Sequence, residues 1–133
     1  MLKSPGGSLF PYYYKDGELF GWHYGSFFNN EEGILARMKA EEEFLIKAHR
    51  QLPLWVDFYE TKLTEKVLIE FSKSIFRLQK LIPKLAVVGC SFFDKRRLHK
   101  INNKLGYKFT MPMRFFNDPE EAKTWLVSER FNE

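Results

Sequence analysis

Cys90 and Arg96 frame the stretch Cys90-Ser-Phe-Phe-Asp-Lys-Arg96. A thiol and a guanidinium at that spacing, between a strand and a helix, could hydrolyse a phosphate ester. Backbone amides and the helix dipole would lower the thiol pKa, and the Arg would clamp the phosphate through two parallel bonds. The loop opposes this. Phe92, Phe93 and Asp94 fill positions where such a site wants glycines that let amides turn toward the anion, and Asp94 would repel it. The plainer reading is a small thiol closing a core strand, and a Cys90/Arg96 phosphatase stands third among the functions considered.

Three other groups could carry chemistry. Lys95, Arg96, Arg97, Lys100, Lys104 and Lys108 cluster, and on a helix Arg96, Lys100 and Lys104 align at i, i+4 and i+8. With Ser91 at the helix start, the set Ser91, Lys95, Arg96, Arg97 and Lys100 is a candidate anion-binding face. Its alternative is a solvated outer face opposite a core stripe of Leu98, Ile101 and Leu105. Asp57 and Glu60, with Thr61 and Thr64, follow an apolar strand, and in open α/β sheets ligands gather at the carboxyl ends of strands. These four are a candidate switch or partner surface, although Thr64 also reads as an ordinary helix cap. Finally, Tyr12, Tyr13, Tyr14, Phe20, Trp22, Tyr24, Phe27 and Phe28 are more aromatics than one hairpin face can bury, so some should stay exposed, and Tyr12, Tyr14, Phe20, Trp22, Tyr24 and Phe27 are a candidate hydrophobic interface. His23, His49 and His99 are scattered without metal or triad spacing, so no metal and no cofactor is expected.

The bulk composition narrows the classes. A chain of 133 residues with 44% hydrophobic residues and 14 Phe suits one domain with a greasy core. A net charge of +4 is mild, and no segment interleaves aromatics and cations as RNA modules do, so nucleic acid is not an expected partner. One Cys excludes an intrachain disulfide and a Cys zinc cluster. No apolar run nears the roughly 20 residues of a membrane span and no signal peptide is visible, so the expectation is a cytoplasmic protein.

The elements that must position these residues are legible in outline. Residues 1–8 read as a flexible arm, 9–128 as a single domain and 129–133 as a tail. Two aromatic runs around Asp16-Gly17 predict a hairpin. Asn29-Asn30-Glu31-Glu32 predicts a helix start, with the helix running to about Gln51 before Pro53. Its register is imperfect, because Glu41 and Glu42 fall where apolar residues belong. Leu54–Phe58 predicts a strand, and a helix opening at Thr64-Glu65 carries a clean stripe of Val67, Leu68, Phe71, Ile75, Leu78 and Ile82. Leu85–Gly89 reads as a strand covered on both faces. Ser91 and Asp94 cap the basic helix, Gly106 ends it, Met111–Phe116 is the last strand, and Asp118-Pro119-Glu120-Glu121 opens the last helix. The expectation is an α/β fold of order β-β-α-β-α-β-α-β-α. Its mixed sheet has about five strands covered by about four helices, and strands joined through helices lie parallel.

The segments LPLWVDFYE, KLAVVGCS and RFFNDPEEAKTWL, in that order, resemble the STAS-like fold of anti-sigma-factor antagonists and of the cytoplasmic domains of sulfate transporters. More closely, the chain is similar to small bacterial SpoIIAA-like proteins over residues 9–128. The resemblance implies a bacterial regulatory domain acting through protein–protein contact. In that family a serine of an Asp-Ser-Ser-Gly stretch, at a helix start after the third strand, is phosphorylated by a partner kinase. The matching segment here runs Asp57-Phe-Tyr-Glu-Thr-Lys-Leu-Thr64-Glu65 and lacks Ser-Ser-Gly, leaving Thr61 and Thr64 as its hydroxyls. The functional expectation is a non-enzymatic interaction domain with a protein partner or a second copy of itself. A binding module for a lipid-like or other small apolar ligand is the alternative.

Overall fold

A computed structural model describes residues 2–128; the expected tail 129–133 lies outside the described residues. In chain order the elements are β1 (Leu2–Lys3), β2 (Leu9–Phe10), β3 (Tyr12–Tyr14), β4 (Gly17–His23), α1 (Glu31–Ala48), β5 (Leu54–Asp57), α2 (Glu65–Leu78), β6 (Leu85–Val88), α3 (Phe92–Leu105), β7 (Met113–Phe116) and α4 (Pro119–Val127). A 3-10 turn, Gln79–Leu81, follows α2. The five strands β3 to β7 form one sheet in sequential order. β3 pairs antiparallel with β4, and β4 to β7 are parallel. The fold is the expected α/β alternation with a mixed five-stranded sheet and four helices.

Sequential parallel strands mean that every crossover steps in the same direction, so crossovers of one hand put their helices on one face. The packing shows this. Phe20, Trp22, Leu54, Val56, Leu85 and Val87 face a core completed by residues of α1, α2 and α3. Leu19, Ala86 and Val88 face the other way, against Ala122, Trp125 and Leu126 of α4. β6 is therefore buried at all four positions, as its continuous apolar run requires. The helix starts follow local capping rules. Asn30, Thr64, Ser91 and Asp118 each accept a backbone N–H of their own first turn, Ser91 and Asp94 form a reciprocal capping box, and Pro119 opens α4.

Several expectations need correction. Residues 2–8 are not a loose arm: β1 pairs with β2, and buried Ser4 donates its hydroxyl to Glu41 Oε2 at 3.0 Å. Gly6 N–H donates to the same oxygen at 3.0 Å. Thus Glu41, out of register as an apolar residue, is the buried anchor of the amino-terminal ribbon. Glu42 is the matching tie to α2, accepting from Ser74 Oγ at 2.7 Å and from two Arg77 nitrogens at 2.8 Å. The hairpin turn is Lys15-Asp16, both with positive φ, because Tyr14 pairs with Gly17. α1 stops at Ala48, where His49 turns left-handed. α3 buries only Leu98; Ile101 is half-buried and Leu105 is exposed. Its apolar stripe is too thin to cover the end of the sheet.

Candidate functional site

Because β4, β5 and β6 are parallel, the loops leaving them emerge at one edge, and there the hydrogen-bond ladder continues beyond the strands. Tyr24 N–H donates to Asp57 O, and Phe58 N–H donates to Val88 O, both at 2.9 Å. Further out, Ser26 N–H reaches Tyr59 O at 2.7 Å and Phe28 N–H reaches Glu60 O at 2.9 Å. The loops also touch closely: a Cβ on Gly25 would lie 2.8 Å from Tyr59 O, and one on Gly89 would lie 2.7 Å from Tyr59 N. The three loops therefore form one rigid platform rather than independent excursions.

The candidate switch residues are parts of that platform. Thr61 Oγ1 donates to Tyr24 O at 2.6 Å and accepts Phe27 N–H at 3.1 Å, so its hydroxyl latches the first loop to the second. Thr64 Oγ1 accepts Val67 N–H at 3.2 Å as the cap of α2 and donates to Glu31 Oε2. Asp57 Oδ1 accepts Tyr59 N–H at 2.9 Å, and Glu60 Oε1 accepts the Ser26 hydroxyl at 3.2 Å. The third loop is tied in by Arg97, which donates to Leu63 O at 2.8 Å and pairs with Asp94 at 3.2 Å.

What the platform presents outward is aromatic. Phe28 is 60% exposed, Tyr59 65%, Phe92 69% and Phe93 73%, and each comes from one of the three loops or from the first turn of α3. The Phe92 and Phe93 rings meet edge to face at 6.2 Å. Residue-type reasoning reached only Phe28 of this set, as a member of the hairpin's aromatic cluster, and read Phe92 and Phe93 as obstacles to a phosphate loop. A signal was present: aromatics placed between a strand end and a helix cap fall in a turn, where neither face of the sheet can bury them.

The expected aromatic interface is overturned for most of its members. Phe20, Trp22 and Tyr24 are wholly buried in the core that faces α1 and α2. Tyr12 and Tyr14 hold α4. Together with Trp55 they surround the Lys123 ammonium at 5.6, 5.0 and 5.5 Å, and Tyr14 donates to Glu120 Oε2 at 2.8 Å. Phe27 is half-buried beneath the Arg37 guanidinium. The phenylalanine excess goes into edge-on core packing such as Phe10–Phe20 and Phe58–Phe71.

The groove that Arg96 lines, between α3 and β7, does not include Cys90. Burial, reinforced by Asp94, pushes the Cys90 thiol up to about 12, so it is protonated at neutral pH. Arg96 lies over the Phe92 ring. Lys95 and Lys100 line the same groove, Ser91 caps α3, and Arg97 is turned inward to Leu63. The anion-binding set is thus divided: Lys95, Arg96 and Lys100 share one rim, while Ser91 and Arg97 serve structure. Burial holds His23 below the ordinary imidazole value against the opposing pull of Asp57. Among the described residues no group of three or more His, Cys, Asp or Glu could hold a metal ion, and no helix is long and apolar enough to cross a membrane. No family model, curated protein or solved structure matches this chain.

Proposed function

We propose that this chain is a non-enzymatic interaction domain that binds a protein partner through the carboxyl edge of its sheet. The regulatory, bacterial and cytoplasmic setting is the one its resemblance to STAS-like, SpoIIAA-like domains implies. One observation carries the reading: four largely exposed aromatic side chains stand on a single platform built from three hydrogen-bonded loops. At about 150–250 Å² per ring, these exposures together leave on the order of 500 Å² of aromatic surface in water. Exposed aromatics on a rigid base are also what interface hot spots are made of, because little side-chain entropy is lost on binding. The segment from Asp57 to Thr64, which the family resemblance aligns with the stretch that a partner kinase phosphorylates, supplies the middle of that platform.

The test is the double variant Tyr59→Ser/Phe93→Ser, at positions exposed enough to leave the fold intact. Quantitative affinity capture and light scattering on parent and variant should show a stoichiometric partner, or a dimer, that the variant loses at an unchanged melting temperature. Identical captured proteins and identical mass in parent and variant would overturn the proposal.

A further inference from the structure

β7 is the last strand of the sheet, and no strand among the described residues pairs with its outer edge. Leu85 N–H donates to Pro112 O at 3.0 Å. In a parallel ladder this turns the backbone groups of Arg114 toward β6 and leaves the N–H and C=O of Met113 and Phe115 on the outer side. Beside that edge runs the groove between α3 and β7, of about 390 Å³. Its floor is apolar, with Met113, Phe115, Leu98 and Phe92, because α3 buries only Leu98 and cannot close over the strand. Its rim carries Lys95, Arg96 and Lys100, and none of its walls is a carboxylate. Among the described residues these three cations make no ion pair; the nearest acid in sequence, Asp94, is engaged by Arg97. Lys95 and Arg96 rest instead over the Phe115 and Phe92 rings at 5.1 and 5.7 Å.

A strand edge unpaired among the described residues, an apolar trough alongside it and an uncompensated cationic rim describe one kind of occupant. We infer that β7 accepts an extended acidic peptide segment of a partner as an additional strand. The segment would set alternate apolar side chains on Met113 and Phe115 and direct carboxylates to Lys95, Arg96 and Lys100. Main-chain bonds would give affinity and the trough and rim would select sequence. A second copy of this chain fits poorly, since pairing β7 with β7 would bring two α3 cation rows, and two Arg114 side chains, toward each other. The inference rests on the reading that the chain works through a protein partner, but it uses a different surface, shared only at Phe92.

The probe is a fluorescein-labelled ten-residue peptide alternating Ile with Glu, titrated against the full chain by anisotropy. Saturable binding is expected, weakening at least about tenfold in Lys95→Glu/Arg96→Glu and falling as salt rises. The same peptide with alternate amides N-methylated, and one with Lys for Glu, should both fail to bind. Equal binding by either control, no saturable binding, or binding indifferent to Lys95→Glu/Arg96→Glu would overturn the inference. So would Lys95- and Arg96-dependent uptake onto phosphatidylglycerol vesicles without peptide binding. Tyr59→Ser/Phe93→Ser should bind the peptide as the parent does. Loss of partner capture alone therefore leaves the groove standing, and failure of the peptide alone leaves the carboxyl-edge reading standing.

Discussion

Replacing Gly89 by Ala should destabilise the fold more than any other single-methyl addition at a left-handed glycine. Gly89 has φ +87°, and its added Cβ would lie 2.7 Å from Tyr59 N, 3.0 Å from Phe58 C and 3.2 Å from Phe58 N. A left-handed conformation costs a residue with a Cβ about 1–2 kcal/mol. The three close atoms are backbone, held in place by the Phe58 N–H bond to Val88 O, so relief requires moving a strand end and costs a further ~1–3 kcal/mol. Gly106 provides the control: φ is +71°, yet nothing lies within 4 Å of its added Cβ, so only the conformational cost applies. Urea unfolding of the two variants should therefore differ by about 1–3 kcal/mol at unchanged slope. The corresponding gap in melting temperature is about 3–5 °C per kcal/mol at this chain length. Equal losses in Gly89→Ala and Gly106→Ala would refute the argument that the third loop is pinned by backbone contact with the second.

Glu41 should make stability fall as pH rises. Burial raises its pKa above the ordinary 4.5 despite the bonds from Ser4 and Gly6, so the folded state disfavours ionisation; the favourable protonated state is fully present below about pH 4.5 and lost as pH climbs through the raised value. Urea unfolding should show Glu41→Gln gaining on the parent across that window, and a constant difference from pH 4 to 8 would show that Glu41 is not titrating in place. At Cys90, with its thiol pushed up to about 12, a disulfide reagent at pH 7.5 should react far more slowly in the native protein than in urea. Equal native and denatured rates would contradict the burial that raises the Cys90 thiol.

Local rules made the frame legible. Thr64, Ser91 with Asp94, Gly106, and Asp118 with Pro119 each do what their residue types dictate within one helical turn, so they can be read without knowing the fold. β6 was equally plain, because a short apolar run ending in two valines and bounded by Pro83 and Gly89 reads as a strand covered on both faces. The aromatic hairpin was not. Whether Trp22 and Tyr24 are surface or core depends on α1 and α2 arriving over that face, and whether Tyr12 and Tyr14 are free depends on Lys123 lodging among them from the far end of the chain. Glu41 was unreadable for the same reason, since its partners belong to residues 2–8, whose Gly, Pro and Ser content resembles a disordered arm. The candidate edge was half visible: the segment around Thr61 and Thr64 stood out, as did Phe28 among the hairpin aromatics, while Tyr59, Phe92 and Phe93 did not.

The geometry at that edge also bears on how it could be controlled. A phosphate on Thr64 would gain from the positive end of α2, a favourable term of about 0.3–1 kcal/mol at an exposed site. It would lose the hydroxyl cap on Val67 N–H, worth about 1 kcal/mol, and it would meet the Glu31 carboxylate to which the hydroxyl now donates. Thr61 is no better placed, since its oxygen both donates to Tyr24 O and accepts from Phe27 N–H, and a phosphate there would unlatch the first loop. Both hydroxyls are thus committed to holding the platform, whereas the side chains of Phe28, Tyr59 and Phe93 are largely exposed, and Phe92, equally exposed, meets the Arg96 guanidinium and the Phe93 ring. In a rigid platform of this kind, the aromatic side chains can turn toward a partner without cost to the fold, and the threonines cannot.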